Sequence, residues 1–267
     1  MAYSDIFNER WAVPAYMEFM AQSVMAATCN HSYDGVISQK GDTVHVPSID
    51  PASFTVETTW ESGNENADVL TNQTISIDQQ PSVQTFIPAI DKLRTNIDLE
   101  QTYALASAEA LANKADRFVI TTASGGAGSQ ATVTSFDTLM DARQVLVGNG
   151  VPITPGEVFA FVSSTTAKAL LKDTDVQNAS NYVRVDNAPV TGQIGTLGGI
   201  TVIEQAVVPG GGVLFHRRAL AFVSQSGLEF EIDSTLGGRK IRGHVLGAYL
   251  LYGAKVLSSK GVVTLLG

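Results

Sequence analysis

The sequence predicts an α+β fold, and three patterns carry that expectation. Apolar residues recur at helical spacing over residues 89–118, and they alternate with polar ones in the stretch before it. Short apolar runs broken by glycine turns fill the stretch after it. The chain has 267 residues, 44% of them apolar and 16% charged, which is the composition of a folded protein rather than a disordered one.

Residues 1 to 30 read as an arm with a short helix rather than a core element. Pro14 suits a first helical turn. The residues after it, Tyr16, Met17, Phe19, Met20, Val24 and Met25, are apolar enough to require cover. That cover is either the body of the same chain or a neighbouring copy. Residues 36 to 87 read as extended, because Val44 and Val46, Phe54 and Val56, and Ile75 and Ile77 alternate with polar residues. Between them, ETTWESGNENADVLTNQ is rich in glycine, asparagine and acid, as the tip of a long hairpin is. A ribbon with so little apolar material cannot bury itself, and isolated two-stranded ribbons are marginal in water. It is expected to lie on a partner surface.

The strongest helix spans 89–118. Ile90, Leu93, Ile97, Ala104, Ala108, Leu111, Ala115 and Phe118 recur at spacings of three, four or seven and make one narrow, alanine-rich seam, a spine on which a sheet can lie. SGGAGSQ at 124–130 is a flexible turn. A second helix follows, with Ser135 as N-cap, Asp137 in its first turn, and Phe136, Leu139, Met140 and Leu146 on its apolar face. Gly148-Asn149-Gly150 stops it ahead of Pro152. A buried strand, Glu157 to Val162, and a short helix, Thr165 to Leu171, come next. From Tyr182 onward strands are expected at Ile200–Glu204, Gly212–Phe215, Leu220–Gln225, Leu228–Asp233, Arg239–Tyr252 and Val262–Leu266.

Charge is sparse and uneven. The formal net charge is −9, so a protein gripping DNA through its phosphates is not expected. From Gly41 to Asp91 there are eight acids and no Lys or Arg, while Thr201 to Gly267 carries seven bases and four acids. Two readings stand: a solvated acidic loop kept soluble by repulsion, or two surfaces built to meet. The single cysteine, Cys29, excludes an intramolecular disulfide framework. Asp5 and Glu9 precede the first base, Arg10, the reverse of a secretory signal, and no apolar run approaches the length that spans a bilayer. The expectation is a soluble, intracellular-type chain with no membrane contact.

No catalytic, cofactor-binding or metal site is expected. Gly126-x-Gly128-x-x-Ala131 follows a helix and precedes a strand-like ATVT, the wrong context for a dinucleotide fingerprint. Cys29, His31 and Asp34 supply three potential ligands, but no fourth completes a tetrahedral set. Glu229, Glu231 and Asp233 alternate with Leu228, Phe230 and Ile232, which puts three carboxylates on one face of a strand. They would bind a divalent cation, split their titrations for acid–base work, or pair with Arg239, Lys240 and Arg242 across the Leu236-Gly237-Gly238 turn. Pairing or plain solvation is the simplest of these.

The order of parts and several local phrases resemble the major capsid proteins of tailed bacteriophages, which have the Johnson fold first seen in a Hong Kong phage. Lys40-Gly41-Asp42-Thr43-Val44-His45-Val46-Pro47 resembles the strand entering that family's extended loop, and Thr74-Ile75-Ser76-Ile77-Asp78-Gln79 its return. Gly195 to Val202 resembles the turn and strand of the apical domain, Val213 to Phe222 the strands re-entering the peripheral domain, and Leu251 to Val256 the closing strand. The resemblance implies an N-terminal arm over 1–35 and an extended loop over 36–88. It implies a peripheral domain over 89–133 and 211–267, with its spine helix at 89–118, and an apical domain over 134–210.

The function it implies is self-assembly into the icosahedral shell that encloses a phage's double-stranded DNA, with no enzymatic activity. The partners are other copies in pentamers and hexamers, a portal protein and packaged DNA held without sequence-specific contacts. A separate scaffolding protein is implied because no fused scaffold segment precedes the arm, and a decoration protein is an option left open. The location is the virion, assembled in the host cytoplasm. Asp50, Glu57, Glu61, Glu65 and Asp68 on the loop are expected to meet Arg239, Lys240 and Arg242 of the next subunit. No lysine lies between Gly41 and Asp91, so the isopeptide cross-link of some relatives is not expected. The alternatives are a nanocompartment shell of the same fold and an enzyme of unknown type.

Overall fold

The computed structural model describes residues 24–34, 43–49, 70–88, 99–173, 193–205, 208, 210–236 and 239–267. Its helices are α1 (Val24–Thr28), α2 (Leu99–Gly125), α3 (Phe136–Gly148) and α4 (Ser164–Lys172). Its strands are β1 (Thr43–Ile49), β2 (Leu70–Ser76), β3 (Ser82–Pro88), β4 (Ser129–Thr132), β5 (Val158–Val162) and β6 (Gln193–Leu197). They continue with β7 (Ile200–Glu204), β8 (Gly212–His216), β9 (Leu220–Leu236), β10 (Arg239–Val256) and β11 (Val262–Leu266). No described helix is long and apolar enough to cross a membrane.

A six-stranded mixed sheet, in the order β4-β11-β8-β5-β7-β6, forms the middle layer. Its strands bury both faces, and their alternation sorts the side chains between two cores. On β5, Phe159 and Phe161 point to the α2 side, whereas Val158, Ala160 and Val162 point to α3 and α4. The adjoining β8 repeats this, with Val213 and Phe215 on one side and Leu214 on the other. The sheet takes β5, β6 and β7 from the stretch 134–210, and β4, β8 and β11 from the chain on either side of it.

The spine helix α2 runs to Gly125, past the expected end at Phe118; residues 89–98 lie outside the described ones. Val119, Ile120, Thr121 and Thr122 are β-branched and weak helix formers. Their burial overrides that preference, since Val119, Ile120 and Ala123 continue the seam of Ala104, Ala108, Leu111 and Ala115 and are fully covered. Thr121, facing water, donates its hydroxyl to Arg117 O at 2.8 Å. Small alanines let this helix lie close to β10. The α3 expectation holds in detail: Ser135 caps it in a capping box with Thr138, and Asn149 closes its end.

The three-stranded antiparallel sheet β3-β10-β9 packs on the spine helix. Two sequence expectations change here. The runs Leu220–Gln225 and Leu228–Asp233 are one strand with irregular register near Ser226, because β10 supplies continuous pairing on one side. Ser82–Pro88, within the expected extended loop, pairs with Gly243–Tyr249 of β10 instead of with the ribbon. The ribbon itself is β1 against β2, from Thr43↔Ser76 to Ile49↔Leu70, so the return strand begins three residues before the expected tip ends.

Candidate functional site

The chain has two segments that its sequence marks for contact beyond a core of their own: the end of the arm and the extended ribbon. Both are seated on the same body, beside the first half of β9.

The arm root, residues 24–34, is a core element, contrary to expectation. Met25 and Cys29, one helical turn apart, are fully buried with Ala26 against α2 and neighbouring strands. The apolar cover left open by the sequence is therefore the chain's own body for this part; residues 1–23 lie outside the described ones. A five-residue helix leaves its first N–H groups without internal partners. One of them, Ala26 N–H, donates to Asp116 Oδ1 at 3.2 Å, a carboxylate on the spine helix with 1% exposure. Gln205, just past β7, donates its Nε2–H to Asp116 Oδ2 at 2.6 Å. The charge of Asp116 is felt nearby. Burial first, and this carboxylate second, push the Tyr252 hydroxyl up to about 12 and also raise the Cys29 thiol. Cys29 is thus a protonated thiol donating to Met25 O at 3.2 Å, and not a thiolate ligand. Among the described residues, no three His, Cys, Asp or Glu side chains gather to hold a metal ion.

After α1 the chain makes a parallel bridge to the free edge of β9: Asn30 N–H donates to Leu220 O at 2.9 Å, and Phe222 N–H to Asn30 O at 3.2 Å. Asp34 Oδ1 accepts from Ser224 N–H at 3.0 Å. His31 contacts Asp34 Oδ2 through Nδ1 at 2.7 Å and Ala26 O through Nε2 at 2.6 Å, with its ring edge-on to Phe222. Beside this root opens a cleft of about 490 Å³ lined by Asn30, His31, Ser32, Glu157, Arg217 and Arg218. Arg217 donates Nε–H to Cys29 O at 3.3 Å. Glu157 lies 3.3 Å from Arg218 Nη2 and 3.3 Å from His216 Nε2. The Arg218 side chain is 78% exposed, so solvent screens that pair. His216 is buried at the end of β8 and accepts Arg218 N–H at Nδ1, and burial lowers its pKa.

The ribbon base is also held by its own subunit, correcting the expectation that the whole ribbon rests on a partner. Val44, Val46, Ile75 and Ile77 pack on Ala221 and Val223 of β9. Gln73 Nε2–H donates to Leu257 O at 2.8 Å, and Lys255 Nζ to Thr74 O at 2.7 Å. Gln79 and Tyr252 exchange backbone hydrogen bonds just past it. Ser76 O sits where a Cβ on Gly253 would go, so only glycine lets the ribbon cross β10 this closely.

The candidate contact acids Asp50, Glu57, Glu61, Glu65 and Asp68 all lie outside the described residues. Arg239 and Lys240 start β10 opposite Leu236 and Thr235, and Arg242 lies in the irregular stretch between Lys240 and Val245; their side chains are outside the description. The pairing of Glu229, Glu231 and Asp233 with these bases does not follow the register. Those acids stand opposite Tyr249, Gly247 and Val245, because β10 carries extra residues between Lys240 and Val245. Glu229 instead accepts the Tyr249 hydroxyl, and that bond first, with burial next, pushes Tyr249 up to about 12. Sequence reasoning missed Asp116, Glu157 and Gln205 altogether. It singled out Cys29, His31 and Asp34 as a cluster, through their spacing, and set them aside as an incomplete ligand set without finding their hydrogen bonds to the body.

A family model described as phage capsid protein matches residues 87–265, more than half of the chain. No curated protein matches the sequence. Among solved structures, a chain from Mycobacterium phage Che8 is 25% identical, with a TM-score of 0.69, over 91% of this chain and 91% of that one. The capsid of Ralstonia phage GP4 is 14% identical, with a TM-score of 0.67, over 92% of this chain and 89% of that one. A virus-like particle from Pyrococcus furiosus is 12% identical, with a TM-score of 0.64, over 96% of this chain and 98% of that one.

Proposed function

The chain belongs to the phage capsid protein family and has its Johnson fold, and from that premise we propose that copies of it close into the icosahedral shell around a phage's double-stranded DNA. The family match over 87–265 carries this reading. The structural protein it implies is no enzyme, resides in the virion and is assembled in the host cytoplasm. Its parts are an arm over 1–35 whose root is locked into the body, and a loop over 36–88 whose last residues double as the edge strand β3. The peripheral domain takes 89–133 and 211–267, and the apical domain 134–210, the two sharing the six-stranded sheet.

Assembly follows from what a single copy leaves uncovered. The loop tip has almost no apolar content for a core of its own, and each copy completes its neighbour. A woven interface of this kind buries about 2,000 Å² or more. Asp50, Glu57, Glu61, Glu65 and Asp68 of one copy meet Arg239, Lys240 and Arg242 of the next, and the net charge of −9 lets packaged DNA slide within the shell. A separate scaffolding protein, a portal and, in some shells, a decoration protein complete the particle.

Electron microscopy of the purified chain, alone and with a scaffold, tests the reading: closed shells, or rings of five and six, are expected. A chain that sediments only as a monomer at high concentration under both conditions refutes it. Particles that enclose a cargo enzyme and no DNA would assign the chain to the nanocompartments. Deleting 55–70 should leave a folded body that assembles poorly. Boiled in detergent, particles should run as a single band near 28.3 kDa, since no lysine lies between Gly41 and Asp91 to form an isopeptide bond and Lys40 sits at the base of the loop, far from its tip.

A further inference from the structure

We propose that His31 is held as an imidazolium and acts as a positioning residue, riveting the arm root to the body so that losing its proton loosens residues 24–34.

The geometry requires this charge state. A neutral imidazole has one N–H and one lone pair, yet both His31 ring nitrogens face acceptors. Ala26 O, 2.6 Å from Nε2, is a carbonyl and has no proton to give. Asp34 Oδ2, 2.7 Å from Nδ1, belongs to a carboxylate whose other oxygen accepts Ser224 N–H. A neutral ring would set a lone pair against one of these oxygens. The charged ring donates to both and makes two short, charge-assisted bonds. It thereby links three points of the root and body: the C=O of Ala26 in α1, the Asp34 turn, and through Asp34 the backbone of β9.

Asp34 faces the ring from its own turn. Arg217 and Arg218 face it from the turn after β8, with Glu157 beside them and His216 on the far side of Glu157's carboxylate, while β9 presents the apolar Phe222. The Asp34 hydrogen bond is the largest influence and raises the His31 pKa; burial and Arg217 oppose it, and the Ala26 bond adds to the rise. The folded value lies above the unfolded one, so the stabilisation is full below about 6.5 and is lost as pH rises through the folded value. In a shell, the root sets where residues 1–23 leave the body. That consequence rests on the capsid reading; the rivet does not.

The test is a pH titration of the full chain in two readouts. Imidazole NMR, with His31 assigned by the signal missing in His31→Gln, gives its midpoint. Backbone amide hydrogen exchange from pH 5.5 to 9, corrected for intrinsic rates, follows residues 24–34, with residues 70–77 as an internal reference. The expected His31 midpoint lies above 6.5. Root protection should fall through it, tenfold for each pH unit separating it from the ordinary value, while His31→Gln shows a weaker root with no such step. A midpoint at or below 6.5, or the same pH profile in His31→Gln as in the wild type, overturns the proposal. A His31→Gln chain with a loosened root and normal shells supports the rivet and refutes its consequence for assembly.

Discussion

The arm root and the ribbon base share one seat, the first half of β9, and are held there by different forces. The ribbon lies on the strand's face through Val44, Val46, Ile75 and Ile77. The root lies along the strand's edge. Its Met25 and Cys29 are buried, but its position is set by polar groups: Asp116 at one end, the Asn30 bridge in the middle, and His31 with Asp34 at the other end. Apolar burial is non-directional and insensitive to protons. Polar anchoring is directional and depends on which groups are charged. The difference teaches that two appendages of one fold can answer to different conditions while seated on the same strand.

Removing the apolar half of this contrast should have the largest effect. Ile75→Ala, at a site with no exposure, is expected to cost about 2–5 kcal/mol in denaturant unfolding, equally at pH 6 and pH 9. A cost that changes with pH would break the contrast. On the polar side, Asp116→Ala strips the acceptor from Ala26 N–H and the Gln205 side chain. It is expected to cost about 1–3 kcal/mol and to raise hydrogen exchange in 24–34 far more than in the ribbon. Uniform loosening of both segments would show that the root is not separately anchored.

The pH response sharpens the comparison further. His216 sits at the same cleft as His31 but shifts the opposite way, downward through burial. Its contribution is present above about pH 6.5 and is lost as pH falls through its lowered folded value. Stability monitored with a His216→Gln variant should therefore gain on the acid side, whereas His31→Gln loses most there. The same sign for both variants would contradict the burial argument. The smallest effect on folding is expected from Arg239→Glu, Lys240→Glu and Arg242→Glu combined. Exposed pairs contribute about 0–1 kcal/mol each, so the monomer's thermal midpoint should hardly move while the yield of shells drops in sedimentation. Unchanged assembly would remove these bases from the interface.

Much of the fold was legible locally. The capping residues of α3, the short apolar runs that make β5, β7, β8 and β11, and the alanine seam of the spine all follow from patterns within a few residues. Errors came where a distant partner decided the outcome. The β-branched end of α2 reads as a helix stop until the sheet that buries Val119 and Ile120 is known. The interruption at Ser226-Gly227 reads as a turn until β10 is seen to run beside it unbroken. The cluster at Cys29, His31 and Asp34 was visible as spacing, but its chemistry depends on Ser224 and Arg217, some 190 residues away in each case.

By itself, the sequence determined where most helices and strands lie, which faces of them are apolar, that the stretch from Gly41 to Asp91 is acidic and free of lysine, and the order of parts that identifies a capsid protein. Those properties reside in backbone geometry and side-chain type, which act over one or two turns of chain. Only the tertiary structure decided that the arm root joins the core, that the ribbon base rests on its own subunit, and that His31 faces two acceptors. The His31 acceptors are only three and five residues away but are fixed through Ser224 on β9, and the other two outcomes depend on groups brought together across 90 or more residues, as Ala26 meets Asp116. Such contacts leave no local pattern, because the whole of the packed core, and not the neighbouring residues, holds the partners in place.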